Sequence, residues 1–240
     1  KFKLLKNQYK GCFAFIKKED LLIKNELKKN KLNSKIIKVN TKKINKFLKK
    51  IKNNYYFTEA NKENLSFVLE ISKKLNLKNN LLIKSIQNFK GLRYRQQIIF
   101  NKNKLTIIND SKSTSFSSAM SILKINPNIY WLLGGINKKG DKFNLSKKYF
   151  SKIKAFVYGK NTKFFNDKLK NKIKYENFNN LKDALKKVFM IIKRKKLIHH
   201  TILFSPCAAS FDSFKNFEER GLYFNRLIKK HLNGKTNINK

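Results

Sequence analysis

Between Ser205 and Gly221 the chain reads SPCAASFDSFKNFEERG, small and polar residues set in a background dominated by lysine. Thr201, Ile202, Leu203 and Phe204 ahead of it form a short apolar run of strand type. Behind it Phe217, Leu222, Phe224, Leu227, Ile228 and Leu232 recur near helical spacing. A strand, a loop and a helix in that order put the loop at a strand's carboxyl end, where open α/β sheets hold their ligands. Ala208, Ala209 and Ser210 are small enough for a ligand to approach the backbone, and Ser210 with the amides at the helix start suits an anion. The alternative is a plain strand-to-helix turn whose Phe211, Phe214 and Phe217 are core. Asp110, directly after another apolar run, is placed to accept hydrogen bonds from ribose hydroxyls, and Arg95 carries the planar fork that suits phosphate. By residue type alone the favoured reading of Asp110 is a turn residue and of Lys112 and Lys138 two more surface lysines, and the alternative for Arg95 is a solvated interdomain arginine.

The elements that must position these residues are set by periodicity. Strand-like runs at 97–100, 105–109, 130–133, 155–158 and 201–204 are separated by helical patterns near 115–124, 162–169 and 181–193. Strands alternating with helices imply a mainly parallel sheet covered on both faces, so residues 91–240 are expected to form an α/β, Rossmann-like domain. Residues 1–90 carry a weaker pattern: strands at 11–16 and 35–39, and helices at 61–75 and 81–89. A fold of this class says little about chemistry, which must come from the loops.

Composition narrows the classes. The 240 residues allow one large or two small domains, and the formal net charge of +43 would ordinarily suggest a nucleic-acid partner. Lysine, asparagine, isoleucine and phenylalanine are all plentiful, however, and the basic residues run along the whole chain. That is the signature of A/T-rich codons, and no specific nucleic acid is expected. Cys12 and Cys207 are too few and too far apart for a disulfide framework, and the longest apolar runs fall short of the roughly 18 residues a spanning helix needs. A cytoplasmic location without a membrane partner is expected.

Three motifs carry a resemblance. Asn109-Asp110-Ser111-Lys112-Ser113-Thr114 resembles the N-D-S-K-(A/S)-T of the Mur ligases, Leu133-Gly134-Gly135-Ile136-Asn137-Lys138 their L-G-G-x-x-K, and the Ser205 to Gly221 stretch their C-terminal signature. Their order and spacing match the branch that joins D-glutamate to UDP-N-acetylmuramoyl-L-alanine with ATP and Mg2+. The resemblance implies roles residue by residue. Lys112 would neutralise charge at an acyl phosphate. Thr114 and Lys138 would hold one glutamate carboxylate, and Ser210 with the backbone near Phe211 and Phe217 the other. Asp110 would contact the nucleotide, and Arg95, in a Gly91-Leu92-Arg93-Tyr94-Arg95 stretch similar to G-L-P-H-R, the ATP phosphates. In residues 1–90, resembling the end of the family's central ATPase domain, Asn61 and Asn64 match the asparagines of G-x-H-N-x-x-N beside the adenine. Thr58 and Ala60 replace its glycine and histidine, and a helix N-cap is the other reading of Asn61. Lys1 falls where the family carries a carbamylated, magnesium-bridging lysine. No phosphate-binding loop is found; Asn233-Gly234-Lys235-Thr236 comes after a helix and lacks the leading glycine. The resemblance further implies a bacterial protein that works as a monomer, and the chain is therefore expected to be the C-terminal part of a longer ligase, inactive alone. A basic nucleic-acid binder and a decayed, stand-alone Rossmann-like module remain open alternatives.

Overall fold

The structure, a computed structural model, describes residues 2–49, 51–195 and 198–233. The chain divides into two compact units, Lys1–Lys90 and Gly91–Lys240.

In the first unit, helix α1 (Lys3–Lys6) precedes strand β1 (Phe13–Lys17), helix α2 (Leu21–Lys29) and strand β2 (Lys35–Val39), with α3 (Ile44–Leu48), α4 (Glu59–Lys74) and α5 (Asn79–Asn88) after them. β1 and β2 pair in parallel as a two-stranded sheet. Asp20 starts α2 by accepting from the amides of Leu22 and Ile23 at 2.9 and 3.1 Å. Ile44, Ile51, Tyr56, Leu65 and Ile86 form the unit's small core. The cap of α4 is Thr58, whose hydroxyl accepts from the Asn61 amide at 3.2 Å; the N-cap reading of Asn61 is corrected by one turn.

The second unit is built on a six-stranded sheet in the order β3-β4-β8-β5-β6-β7. Its strands are β3 (Gln97–Lys102), β4 (Leu105–Asn109), β5 (Ile129–Leu133), β6 (Ile153–Tyr158), β7 (Lys174–Phe178) and β8 (His200–Phe204). Only β3, joined to β4 by a tight connection, is antiparallel. Helices α6 (Phe116–Ile125), α7 (Thr162–Leu169), α8 (Leu181–Arg194) and α9 (Phe217–Asn233) make the crossovers and the C-terminal cover. Every residue of β4, β5 and β8 is buried, as expected of parallel strands covered on both faces. On α8 the buried positions are Leu181, Ala184, Leu185, Val188, Phe189 and Ile192, one stripe at spacings of three and four that meets Leu132, Phe156 and Ile202 in the core. Each of its leucine, valine, phenylalanine and isoleucine side chains contributes roughly 1.5–3 kcal/mol by leaving water. β7 and α2 were not expected from periodicity.

The strand order is what brings the loops together. The chain leaves β4 and forms β5, β6 and β7 outward on one side, then returns to insert β8 between β4 and β5. This reversal sets the carboxyl ends of β4, β8 and β5 side by side, the place where such sheets open a crevice.

Candidate functional site

The three loops leaving β4, β8 and β5 are knitted together by their backbones. Between the β5 and β8 loops, Ile136 and Ala209 exchange both hydrogen bonds, at 3.0 and 2.9 Å, and the Gly134 amide donates to the Pro206 carbonyl at 3.1 Å. Gly135, at φ +123°, can only be a glycine, because a Cβ there would lie 2.5 Å from the Ala209 carbonyl oxygen. The β4 loop joins the same seam where the Asp110 amide donates to Phe204 at 2.7 Å. Cys207 lies fully buried at φ +55°, a strained backbone that only a tightly determined loop maintains.

Asp110 sits at the centre of this seam and is 5% exposed. One carboxylate oxygen accepts from the Gln96 amide at 3.0 Å and the other from the Ser205 hydroxyl at 2.8 Å. Burial pushes its carboxyl up to about 7, against the opposing pull of those hydrogen bonds and of the Arg95 and Arg220 charges. The position expected to meet ribose thus spends a lone pair of each oxygen on fixing the turn before β3 and the start of the β8 loop. Arg95 is exposed on that turn. Tyr94 beside it is buried at φ +61°, its carbonyl accepting from the Lys112 amide at 3.0 Å and its ring filling the space left by Gly221.

Lys112 stands half-buried with its ammonium 3.8 Å from the centre of the Phe217 ring, a cation–π contact that aims it over the start of α9. Thr114 is exposed at the tip of the β4 loop and Lys138 is exposed at the end of the β5 loop. Ser210 is buried, and its carbonyl accepts from Ser213 and Phe214 in the turn that leads to α9. Phe211 is 72% exposed, so the reading of Phe211, Phe214 and Phe217 as plain core is corrected: Phe214 and Phe217 are half-buried and Phe211 faces solvent. The second unit therefore gathers Asp110, Lys112, Ser210 and Phe217 around one seam, with Thr114, Lys138 and Phe211 exposed on its loops.

The remaining expected residues lie apart. Asn61 is buried in the first unit, its side-chain amide donating to the Tyr55 carbonyl at 2.7 Å, whereas Asn64 is exposed on the same helix. Lys1 and the Gly234-Lys235-Thr236 sequence lie outside the described residues. No group of three or more His, Cys, Asp or Glu gathers among the described residues. No described helix is long and apolar enough to cross a membrane.

Residue-type reasoning missed Arg220, Ser111 and Ser205. Arg220 is 1% exposed and points into the seam from the first turn of α9. In a chain where lysine fills nearly every cationic position, an arginine inside the signature stretch was the available signal, since only a guanidinium offers a rigid fork of donors.

The curated proteins to which the chain is similar share one name. A UDP-N-acetylmuramoylalanine–D-glutamate ligase of Wolbachia sp. subsp. Brugia malayi is 36% identical over 172 residues, 71% of this chain and 34% of that protein. Ligases of the same name from Rickettsia prowazekii and Francisella tularensis are each 37% identical, over 71% and 72% of this chain and 38% and 41% of their own. Among solved structures, the UDP-N-acetylmuramate–alanine ligase of Thermotoga maritima has a TM-score of 0.49 at 14% identity, covering 74% of this chain and 39% of that one. No family model matches. Across the matched residues the chain is similar to UDP-N-acetylmuramoylalanine–D-glutamate ligases, and it spans about a third to two fifths of their length.

Proposed function

We propose that this chain is the acceptor-binding portion of an ATP-dependent ligase that joins D-glutamate to UDP-N-acetylmuramoyl-L-alanine in peptidoglycan synthesis. The observation that carries the reading is the convergence of three separately recognisable loops on neighbouring strand ends, with exposed cations and hydroxyls on a seam fixed by buried hydrogen bonds. Gly91–Lys240 is read as the amino-acid-binding domain and Lys1–Lys90 as the end of the central ATP-binding domain.

In this reading Thr114 donates its hydroxyl to one D-glutamate carboxylate and Lys138 pairs with it. Ser210 and the backbone at Phe211 and Phe217 take the other carboxylate, using the amides that begin α9. The precursor carboxylate attacks the γ-phosphoryl group of ATP, expelling ADP. The glutamate amine then attacks the acyl phosphate, loses a proton, and phosphate departs to leave the amide. Lys112 faces the negative oxygens that develop in both steps, where a fixed cation in a water-poor site is most effective. Its cation–π seat on Phe217 keeps the ammonium from wandering.

For ATP, the second unit offers Arg95, exposed and with a guanidinium that suits phosphate, and the first unit by itself offers the exposed Asn64. Within the first unit Asn61 suits an adenine only if its bond to Tyr55 is exchanged; within the second, Asp110 keeps lone pairs for a ribose beyond those given to Gln96 and Ser205. Mg2+ belongs to the proposal through Lys1, outside the described residues, and no donor set for it gathers elsewhere among the described residues.

The test has two parts. Titrating isotope-labelled chain with D- and L-glutamate should shift the resonances of Thr114, Lys138 and Ser210 with the D enantiomer selectively. The longer gene product should release phosphate from ATP only with both substrates present, while the 240-residue chain alone does not turn over. Equal response to both enantiomers, or turnover by the chain alone, would sink the reading.

A further inference from the structure

The guanidinium of Arg220 reaches two of the three loops at once. Its Nε donates to the Ser111 hydroxyl at 3.1 Å, and its Nη2 donates to the Ser111 carbonyl at 2.7 Å and the Ala208 carbonyl at 3.0 Å. Ser111 in turn donates to the Phe217 carbonyl at 2.8 Å, so the β4 loop, the β8 loop and the head of α9 share one node. The third nitrogen, Nη1, is buried without an acceptor and lies 3.3 Å from where a Cβ on Gly135 would stand, against the β5 loop. Burial lowers its pKa, and among the described residues no carboxylate bonds this cation directly; Asp110 and Asp212 act on it through space. A buried cation without an ion-pair partner is costly, and simple packing would be served better by an apolar side chain.

We propose that Arg220 is the positioning residue of the three-loop site: its fork sets the loop of Lys112 against the loop of Ser210, and its charge lies beneath both. Lys112 comes directly after Ser111, and Ser210 lies two residues after Ala208, so a shift at either contact moves a ligand-facing residue. A lysine cannot replace it, because an ammonium is a compact point charge that cannot span Ser111 and Ala208 in one plane. The consequence for an acidic acceptor rests on the D-glutamate reading; the coupling of the loops does not.

Cys207, fully buried next to Ala208, reports on this coupling through its reaction with a thiol reagent. The experiment compares iodoacetamide labelling of Cys207, measured at peptide level by mass spectrometry, in the intact protein and its Arg220→Lys and Arg220→Met variants. Each also carries Ile122→Cys, a reporter on α6 at a residue that is 0% exposed. Arg226→Lys, exposed on the same helix, is the control. The expected result is that both Arg220 variants label Cys207 about tenfold faster or more, while the reporter keeps its rate. An unchanged Cys207 rate overturns the proposal. So does equal acceleration of both sites, which would mean Arg220 merely stabilises the fold or that the variant has unfolded. D-glutamate should slow Cys207 labelling in the unsubstituted protein; if it does not, the ligand reading fails while the positioning role stands.

Discussion

β1 and β8 are both five-residue parallel strands, yet they live in different physical settings. Every residue of β8 is buried, between β4 and β5 and beneath helices on both faces, whereas β1 alternates buried with half-buried residues and pairs only with β2. The units around them differ in the same sense. Trp131, Phe116, Phe156 and Phe204 are fully buried in the second, while Leu21, Leu22 and Leu81 of the first are 70%, 78% and 64% exposed. Parallel strands gain stability from neighbours on both edges and cover on both faces, and only the second unit supplies both.

The largest effect is expected from this contrast. Residues 91–240 expressed alone should unfold in one cooperative transition with protected amides in β4, β5 and β8, and residues 1–90 alone should lack such protection; hydrogen exchange monitored by NMR decides between them. Next, Trp131→Ala should cost about 3–5 kcal/mol in denaturant unfolding of the second unit, because Trp131 is fully buried, contacts Phe116 and Phe143 ring to ring and donates to the Ser205 carbonyl. A cost under about 1 kcal/mol would mean that this core is less determined than its burial indicates.

An effect comparable in total size, but spread over several pH units, belongs to Asp110. Its folded pKa is raised, so its contribution to stability is complete below its ordinary value of 3.8 and lost as pH rises towards about 7. Asp110→Asn should therefore flatten the stability profile across that window by up to about 1.4 kcal/mol per pH unit, measured by urea unfolding at several pH values. A profile with unchanged slope would show that Asp110 is not the group responsible. The smallest effect is expected in the first unit, where Leu22→Ser on the exposed face of α2 should change stability by less than about 0.5 kcal/mol.

How much of the fold and site could be read from the sequence depended on burial. β4 and β8 were legible because covering both faces leaves a continuous apolar run, and α8 because its buried stripe keeps to the helical period. β7, written Lys-Tyr-Glu-Asn-Phe, lies at the sheet edge with no fully buried residue, tied to β6 by backbone pairing and by the Lys154–Glu176 ion pair. Such a strand has no need of an apolar run and leaves none. α2 likewise buries no residue, and its start is marked only by the Asp20 cap. At the site, Lys112, Thr114 and Lys138 stood out through the motifs they sit in and not by type, and the use of Asp110 as an internal acceptor did not stand out at all, because it depends on Gln96 and Ser205 arriving from other parts of the chain. Arg220 was hidden for the same reason: its three acceptor contacts come from two loops that only the sheet order brings together.

That sheet order also sets a timetable for synthesis. Of the six described strands of this sheet β8 is translated last, yet it occupies the middle, pairing His200 with Leu105 on one side and Thr201 with Ile129 on the other. Until it emerges from the ribosome, β4 and β5 have no common partner, and the apolar edges of both must wait in the open. Closure of the sheet and assembly of the three-loop seam then become one late event, in which a sheet-building strand and a ligand-facing loop are delivered by the same stretch of chain.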